Sequence, residues 1–122
     1  MIIIDDAKEL ERDRWLVALG DPTRRAIVEM LGEGPMTASE IHRAFEIANP
    51  AVSRHLRVLR EAGLVRERRV PKDKRVRLYG LEPEPLDELS RWLEGLSRMW
   101  QLQLDSFRDY VALRNAEPEK PR

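Results

Sequence analysis

The sequence predicts a mainly α-helical chain with one small β-hairpin, arranged as a winged helix-turn-helix followed by a long C-terminal helix. Three observations carry that prediction. Two short helical patterns flank a tight turn at 46–48, and the second of them is rich in arginine. A basic hairpin follows at 64–81, mixing Val, Leu and Tyr with Arg at near-alternating spacing, as a half-buried ribbon requires. Residues 85–115 then place apolar side chains on a 3-4 heptad rhythm.

Taken in order, KELERDRWLVAL (8–19) reads as a first helix, with Leu10, Trp15, Leu16 and Leu19 available for burial and Gly20 to close it. Asp21-Pro22 opens a second helix, because Asp accepts from free N–H groups and Pro has no N–H to leave unsatisfied in a first turn. Ile27, Met30 and Leu31 form its apolar side, and GEGP (32–35) ends it. Thr37 with Glu40 three residues on is a capping box, so a third helix starts near Ala38, with Ala38, Ile41, Ala44 and Phe45 facing inward. Asn49-Pro50 repeats the cap-plus-proline start, with Asn49 as the cap. This fourth helix (50–62) runs to Ala62, before a glycine, Gly63, suited to left-handed backbone. At 100° per residue, Val52, Leu56 and Leu59 share one core-facing stripe, and Pro50, Arg54, Arg57 and Glu61 lie nearly opposite. Two strands, Leu64–Val70 and Val76–Leu81, are joined by a turn at Pro71-Lys72-Asp73-Lys74. Glu82-Pro83-Glu84-Pro85 interrupts the chain before the last helix.

In that helix Leu86, Leu89, Leu93, Leu96, Trp100, Phe107 and Tyr110 keep the heptad, with Gln103 the polar exception; Trp92, Met99 and Leu104 widen the stripe. So long an apolar stripe seeks another helix, and a homodimer is the expectation. The domain plan is therefore a winged helix-turn-helix over 1–84, a dimerisation helix over 85–115, and a polar, disordered tail over 116–122.

Formal charge is balanced overall, yet unevenly placed. Residues 49–80 carry 10 basic and 3 acidic side chains, against 6 and 10 before them and 6 and 9 after. A concentrated positive stripe in a neutral protein marks where a polyanion docks. Cysteine is absent, which removes disulfides, thiolate ligands and cysteine redox sensing. No apolar run reaches the roughly 18 residues of a membrane span. Met-Ile-Ile-Ile before Asp5-Asp6 lacks the basic start of a signal peptide, so a cytoplasmic protein with no membrane partner is expected. No phosphate-cradling glycine loop, nucleophile–base set or zinc-ligand set is present, so no enzyme is expected.

A helix that begins with small residues and continues with arginines suits the DNA major groove. Arg54 and Arg57 are candidates for guanine edges or nearby phosphates, roles that residue type does not separate. Ser53 and His55 are placed for base edges or phosphate, Ala51 for a thymine methyl, and Asn49 at the helix start. Lys72, Lys74 and Arg75, on a basic wing over 66–77, are placed for backbone or minor groove. Thr37 and Ser39, at the start of the third helix, are placed near a phosphate.

ALGDPTRRAIVEML, TASEI, NPAVSRHLRVLREAGLV and the hairpin ending RLYGL together resemble the ArsR-type winged-helix repressors over residues 15–81. The ending EPLDELSRWLEGLSRMWQLQLDSFRDYV resembles the metal-independent, autorepressor-like branch. The resemblance implies a dimeric repressor that binds a palindromic operator in double-stranded DNA, commonly at its own promoter. It also implies dimerisation through the first and last helices, which adds Leu10 and Trp15 to Leu89, Trp92, Leu93, Leu96, Trp100 and Phe107 as interface residues. Metal-sensing relatives carry cysteines on the helix matching 38–45, or Asp/His sets on the last helix. Here 38–45 holds no cysteine and the last helix no histidine; the chain's two histidines are His42 and His55. No metal and no cofactor is expected. Two alternatives stay open: a ligand-responsive repressor with a pocket at the dimer interface near Trp15, Trp92 and Trp100, its effector unknown, and a winged-helix protein-interaction module.

Overall fold

Five helices and three strands follow one another in the computed structural model, which describes residues 6–116. The order is α1 (Asp6–Leu19), α2 (Pro22–Leu31), β1 (Met36–Thr37), α3 (Ala38–Arg43), α4 (Asn49–Glu61), β2 (Val65–Val70), β3 (Asp73–Leu81) and α5 (Pro83–Ala116). The chain divides into two compact units between Asp87 and Glu88.

In the first unit, local chemistry sets the helix ends. Asp21 accepts from the N–H groups of Thr23 (2.8 Å) and Arg24 (3.1 Å) and so caps α2. Thr37 and Glu40 form the complete capping box of α3. Gly63, with φ +83°, reverses the chain after α4; a side chain there would strain the backbone though it would touch nothing. The α4 start differs from expectation. Ala48 is the cap and makes no side-chain bond, while Asn49 already has helical geometry. Pro50, at the second helical position, needs no N–H acceptor, so the helix begins without a capping side chain.

The apolar stripes of α2, α3 and α4 meet in one core: Ile27, Ile41, Val52, Leu59 and Leu64 are fully buried, with Trp15, Leu31, Leu56, Val65 and Tyr79 close behind. On α1 the burial falls on Trp15 and Ala18, whereas Leu10, Leu16 and Val17 face outward and Leu19 is half-buried. Ala44, expected inward, lies just past the end of α3 and is exposed, and Phe45 is half-buried.

The sheet has three strands in the order β1-β3-β2, all antiparallel. Met36 and Thr37 pair with Tyr79 and Leu78, adding a strand beyond the two expected. Two residues are too short to show a period of two, so that strand leaves no pattern in the sequence. At the wing tip, β3 starts at Asp73 opposite Val70, after a register irregularity between Arg69 and Val70, so Pro71 and Lys72 alone make the turn.

α5 begins at Pro83, earlier than the expected Pro85. Both prolines fit the first helical turn, where a missing N–H costs nothing, so EPEP starts the helix instead of interrupting it. Its 34 residues span about 51 Å. From Glu88 onward it forms the second unit, whose residues beyond Leu96 are all exposed. Ala116, expected to begin the tail, is helical; the rest of that stretch, 117–122, lies outside the described residues.

Candidate nucleic-acid interface

α4 is held by one face and offers the other. Val52, Leu56 and Leu59 are buried, which fixes the helix by its inner stripe and turns Arg54 and Arg57 outward. Neither arginine makes a hydrogen bond or ion pair with another of the described residues, so both guanidiniums keep every donor for a ligand. Ser53 is exposed beside them and Ala51 is half-buried one turn earlier. The N-terminal half of α4 therefore presents small side chains, and its middle presents free cations.

A cleft of about 380 Å³ opens between α3, α4 and β3, lined by His42, Ser53, Arg54, Arg57, Arg60, Arg77 and Tyr79. Its chemistry is cationic. Glu67 on β2 supplies the local counter-charge: its carboxylate accepts from Arg60 of α4 and lies 3.7 Å from Nε of Arg77 on β3. In the ladder Glu67 stands directly opposite Tyr79, which puts it, Tyr79 and Arg77 on one face of the sheet. His42 Nε2 is 3.5 Å from Ser53 Oγ, and its Nδ1 is buried without a hydrogen-bond partner.

His55, placed among the base-reading candidates, is half-buried, with one ring nitrogen turned inward. Arg24 donates to His55 Nδ1 (3.2 Å), to the Ala18 carbonyl (2.5 Å) and to the Val17 carbonyl (3.2 Å). Arginine only donates, so Nδ1 is the acceptor. Asp21 Oδ2 lies 3.8 Å from the same nitrogen. The Arg24 N–H above all, with that of Thr23, holds the Asp21 carboxyl below its ordinary value. One guanidinium thus ties the end of α1 to the arginine-bearing helix.

The remaining candidates fall in two places. Thr37 is committed to its capping box, its hydroxyl donating to Glu40 Oε1 (2.9 Å) and accepting from the Glu40 N–H (3.2 Å). Ser39 and Asn49 line a shallow cleft with His42 and Arg43. At the wing tip Lys72 and Lys74 are exposed. Arg75 is almost fully exposed, though its Nε meets Asp73 Oδ1 at 3.2 Å, and Arg69 donates to the Lys74 carbonyl (3.0 Å), steadying the turn.

Of the residues expected at a protein–protein interface, Trp15 is already buried within its own chain, whereas Leu10 is exposed, as is its α1 neighbour Val17. Leu10 and Val17 line a groove with Ala18 and with Val58, Glu61 and Ala62 of α4. On α5, Leu89 is buried, Trp92 and Leu96 are half-buried, and Leu93, Trp100 and Phe107 are exposed, together with Met99, Leu104 and Tyr110. Among the described residues no three His, Cys, Asp or Glu side chains stand together as a metal site. No helix among them is long and apolar enough to cross a membrane.

The structure adds Arg60, Arg77, Tyr79, His42 and Glu67 to the expected set. Arg60 and Arg77 are visible in the charge stripe, but only the packing of β3 against α3 and of β2 against α4 puts them in one cleft with Arg54 and Arg57. Nothing in the local sequence marks Glu67 as their shared partner.

Comparison with known proteins places the chain among transcriptional regulators. Residues 19–68, which hold α2 to α4, match a family profile described as a helix-turn-helix domain. The chain is 41% identical over 99 residues to the HTH-type transcriptional regulator Rv2034 of Mycobacterium tuberculosis, covering 81% of this chain and 87% of that protein. It is 31% identical over 104 residues to the arsenic resistance transcriptional regulator ArsR1 of Pseudomonas putida, covering 84% and 79%. Among solved structures, the ArsR family transcriptional regulator RHA00566 superposes with a TM-score of 0.66 at 33% identity, over 75% of this chain and 97% of that one.

Proposed function

We infer the mechanism from one premise: this chain belongs to the ArsR family of helix-turn-helix transcriptional regulators and is a DNA-binding regulator of transcription. Our reading is that it acts as a dimeric repressor in the cytoplasm. Each protomer lays α4 in a major groove, and the pair occludes an operator of two half-sites about one duplex turn apart. Catalysis forms no part of this reading.

One observation carries it. Arg54 and Arg57 point outward from a helix whose opposite stripe is fully buried, free of competing ion pairs among the described residues. In this reading they address guanine edges or the phosphates beside them. Ser53 and Ala51 meet neighbouring base edges, and Asn49 and Ser39 lie at the approach. Lys72, Lys74 and Arg75 hold the flanking backbone, where their charge fixes position and carries no sequence information. The exposed apolar stripe of α5 (Leu93, Trp100, Phe107) pairs with the same stripe of a second copy, and Leu10 on α1 is a further self-association surface. The domain plan follows: a DNA-binding unit ending near residue 84 and a dimerisation helix after it. With no cysteine and no clustered ligands among the described residues, the reading includes no metal effector.

Hydroxyl-radical footprinting on the DNA upstream of the protein's own gene tests it. Two protected patches about 10 base pairs apart centre to centre, erased by Arg54→Ala together with Arg57→Ala, are expected. A single patch, or protection that survives the double substitution, contradicts it.

A further inference from the structure

We propose that Glu67 sets the DNA specificity of this protein: its carboxylate restrains Arg60 and Arg77, so that neither acts as a free cation toward non-cognate duplex. The proposal rests on the DNA-binding reading above and deepens it. Three charged groups stand together in the structure. Arg60 leaves the end of α4, Arg77 leaves β3, and both guanidiniums line the cleft that also holds Arg54 and Arg57. Behind them Glu67, its side chain 15% exposed, binds Arg60 through one oxygen and faces Arg77 through the other. It meets two cations at once, and it sits where the positive stripe is densest.

Two consequences follow from charge and geometry. Glu67 cancels one unit of the positive charge that any passing phosphate sees, which lowers sequence-independent affinity. It also fixes two long side chains relative to α4 before DNA arrives, so less ordering remains for the seated complex. A guanidinium held on one edge by a carboxylate keeps its other edge for a phosphate at the position the cognate register supplies. Cognate binding keeps that benefit, while non-cognate binding meets only the cancelled charge.

The test uses the full chain and a duplex enriched by the wild-type protein from a randomised pool, against a scrambled duplex of the same composition. Glu67→Gln keeps shape and polarity and removes the charge. Affinity for scrambled duplex should rise about eightfold at 0.1 M salt, if the affinities converge near 1 M, and the slope of log K against log salt should steepen by about one. Affinity for the enriched duplex should change less than twofold, so the selectivity ratio should fall at least fourfold. Glu29→Gln, an equal loss of charge on an exposed residue of α2, should leave the ratio unchanged. Arg60→Gln combined with Glu67→Gln restores the wild-type charge: scrambled-duplex affinity and slope should return, and selectivity should stay low. Equal gains on both duplexes, or the same ratio change with Glu29→Gln, overturns the proposal while the DNA-binding reading stands. Failure of the wild-type protein to enrich any duplex overturns that reading, and the proposal with it.

Discussion

Arg24→Ala isolates the tie between the arginine-bearing helix and the rest of its unit. The guanidinium makes three bonds: to the Ala18 and Val17 carbonyls at the end of α1, and to His55 Nδ1 on α4. Hydrogen bonds from a charged donor contribute about 1.5–3 kcal/mol when buried and toward 1 kcal/mol when water competes. Arg24 is half-buried, so the two carbonyl bonds together contribute about 2 kcal/mol and the His55 bond about 0.5 kcal/mol more. Arg24→Ala should therefore cost about 2–3 kcal/mol, or about 10 °C in Tm for a chain of this size. Arg24→Lys keeps the charge but reaches one acceptor, and should recover about half. Urea unfolding followed by far-ultraviolet circular dichroism, at one fixed protein concentration, measures both. A loss under about 0.5 kcal/mol for Arg24→Ala, or full recovery by Lys, would refute the three-bond account.

Three further outcomes follow from the same geometry. Asp21 and Glu40 are both held below their ordinary values of 3.8 and 4.5 by backbone N–H groups, of Arg24 and Thr37 first. Their contribution is complete above the ordinary value and is lost as pH falls through the depressed one, so stability should be flat in this respect from pH 7 to 5 and decline below about 4.5. Asp21→Asn with Glu40→Gln should flatten that acid limb, as a pH series of urea midpoints will show. Leu59→Ala empties a fully buried site on the inner stripe of α4 and should cost about 2–5 kcal/mol by the same unfolding assay. Trp100→Glu with Phe107→Glu puts two charges on the exposed stripe of α5, and sedimentation velocity should show a dimer for the wild-type protein and a monomer for the variant; a dimer in both would place self-association elsewhere.

What the sequence revealed was local. The Asp21-Pro22 start, the Thr37/Glu40 box, the Val52/Leu56/Leu59 stripe and the left-handed Gly63 each follow from residues within a turn or two, and all four stand in the structure. The errors arose where a local rule had competitors. Asn49 is a good cap by type, yet it is already the first helical residue, and Ala48 stands at the cap without a side-chain bond. The EPEP stretch looks like a break, yet both prolines fit a first turn. What stayed hidden is long-range. Arg24 and His55 lie 31 residues apart in sequence, and the pairing of Thr37 with Leu78 brings β1 to the wing from across the domain. The charge stripe foretold a basic face. Only the strand register could place Glu67 and Arg77 on one side of the sheet, and only the packing could bring Arg60 to them.

Whether this chain reads DNA sequence through α4 is best decided by binding of the purified protein to its own upstream DNA, by fluorescence anisotropy across a salt series with scrambled duplex as control. Sequence-selective binding whose affinity falls steeply with salt is expected, with loss of that selectivity in Arg54→Ala and Arg57→Ala. Absence of binding to any duplex at low salt would contradict DNA recognition by this helix.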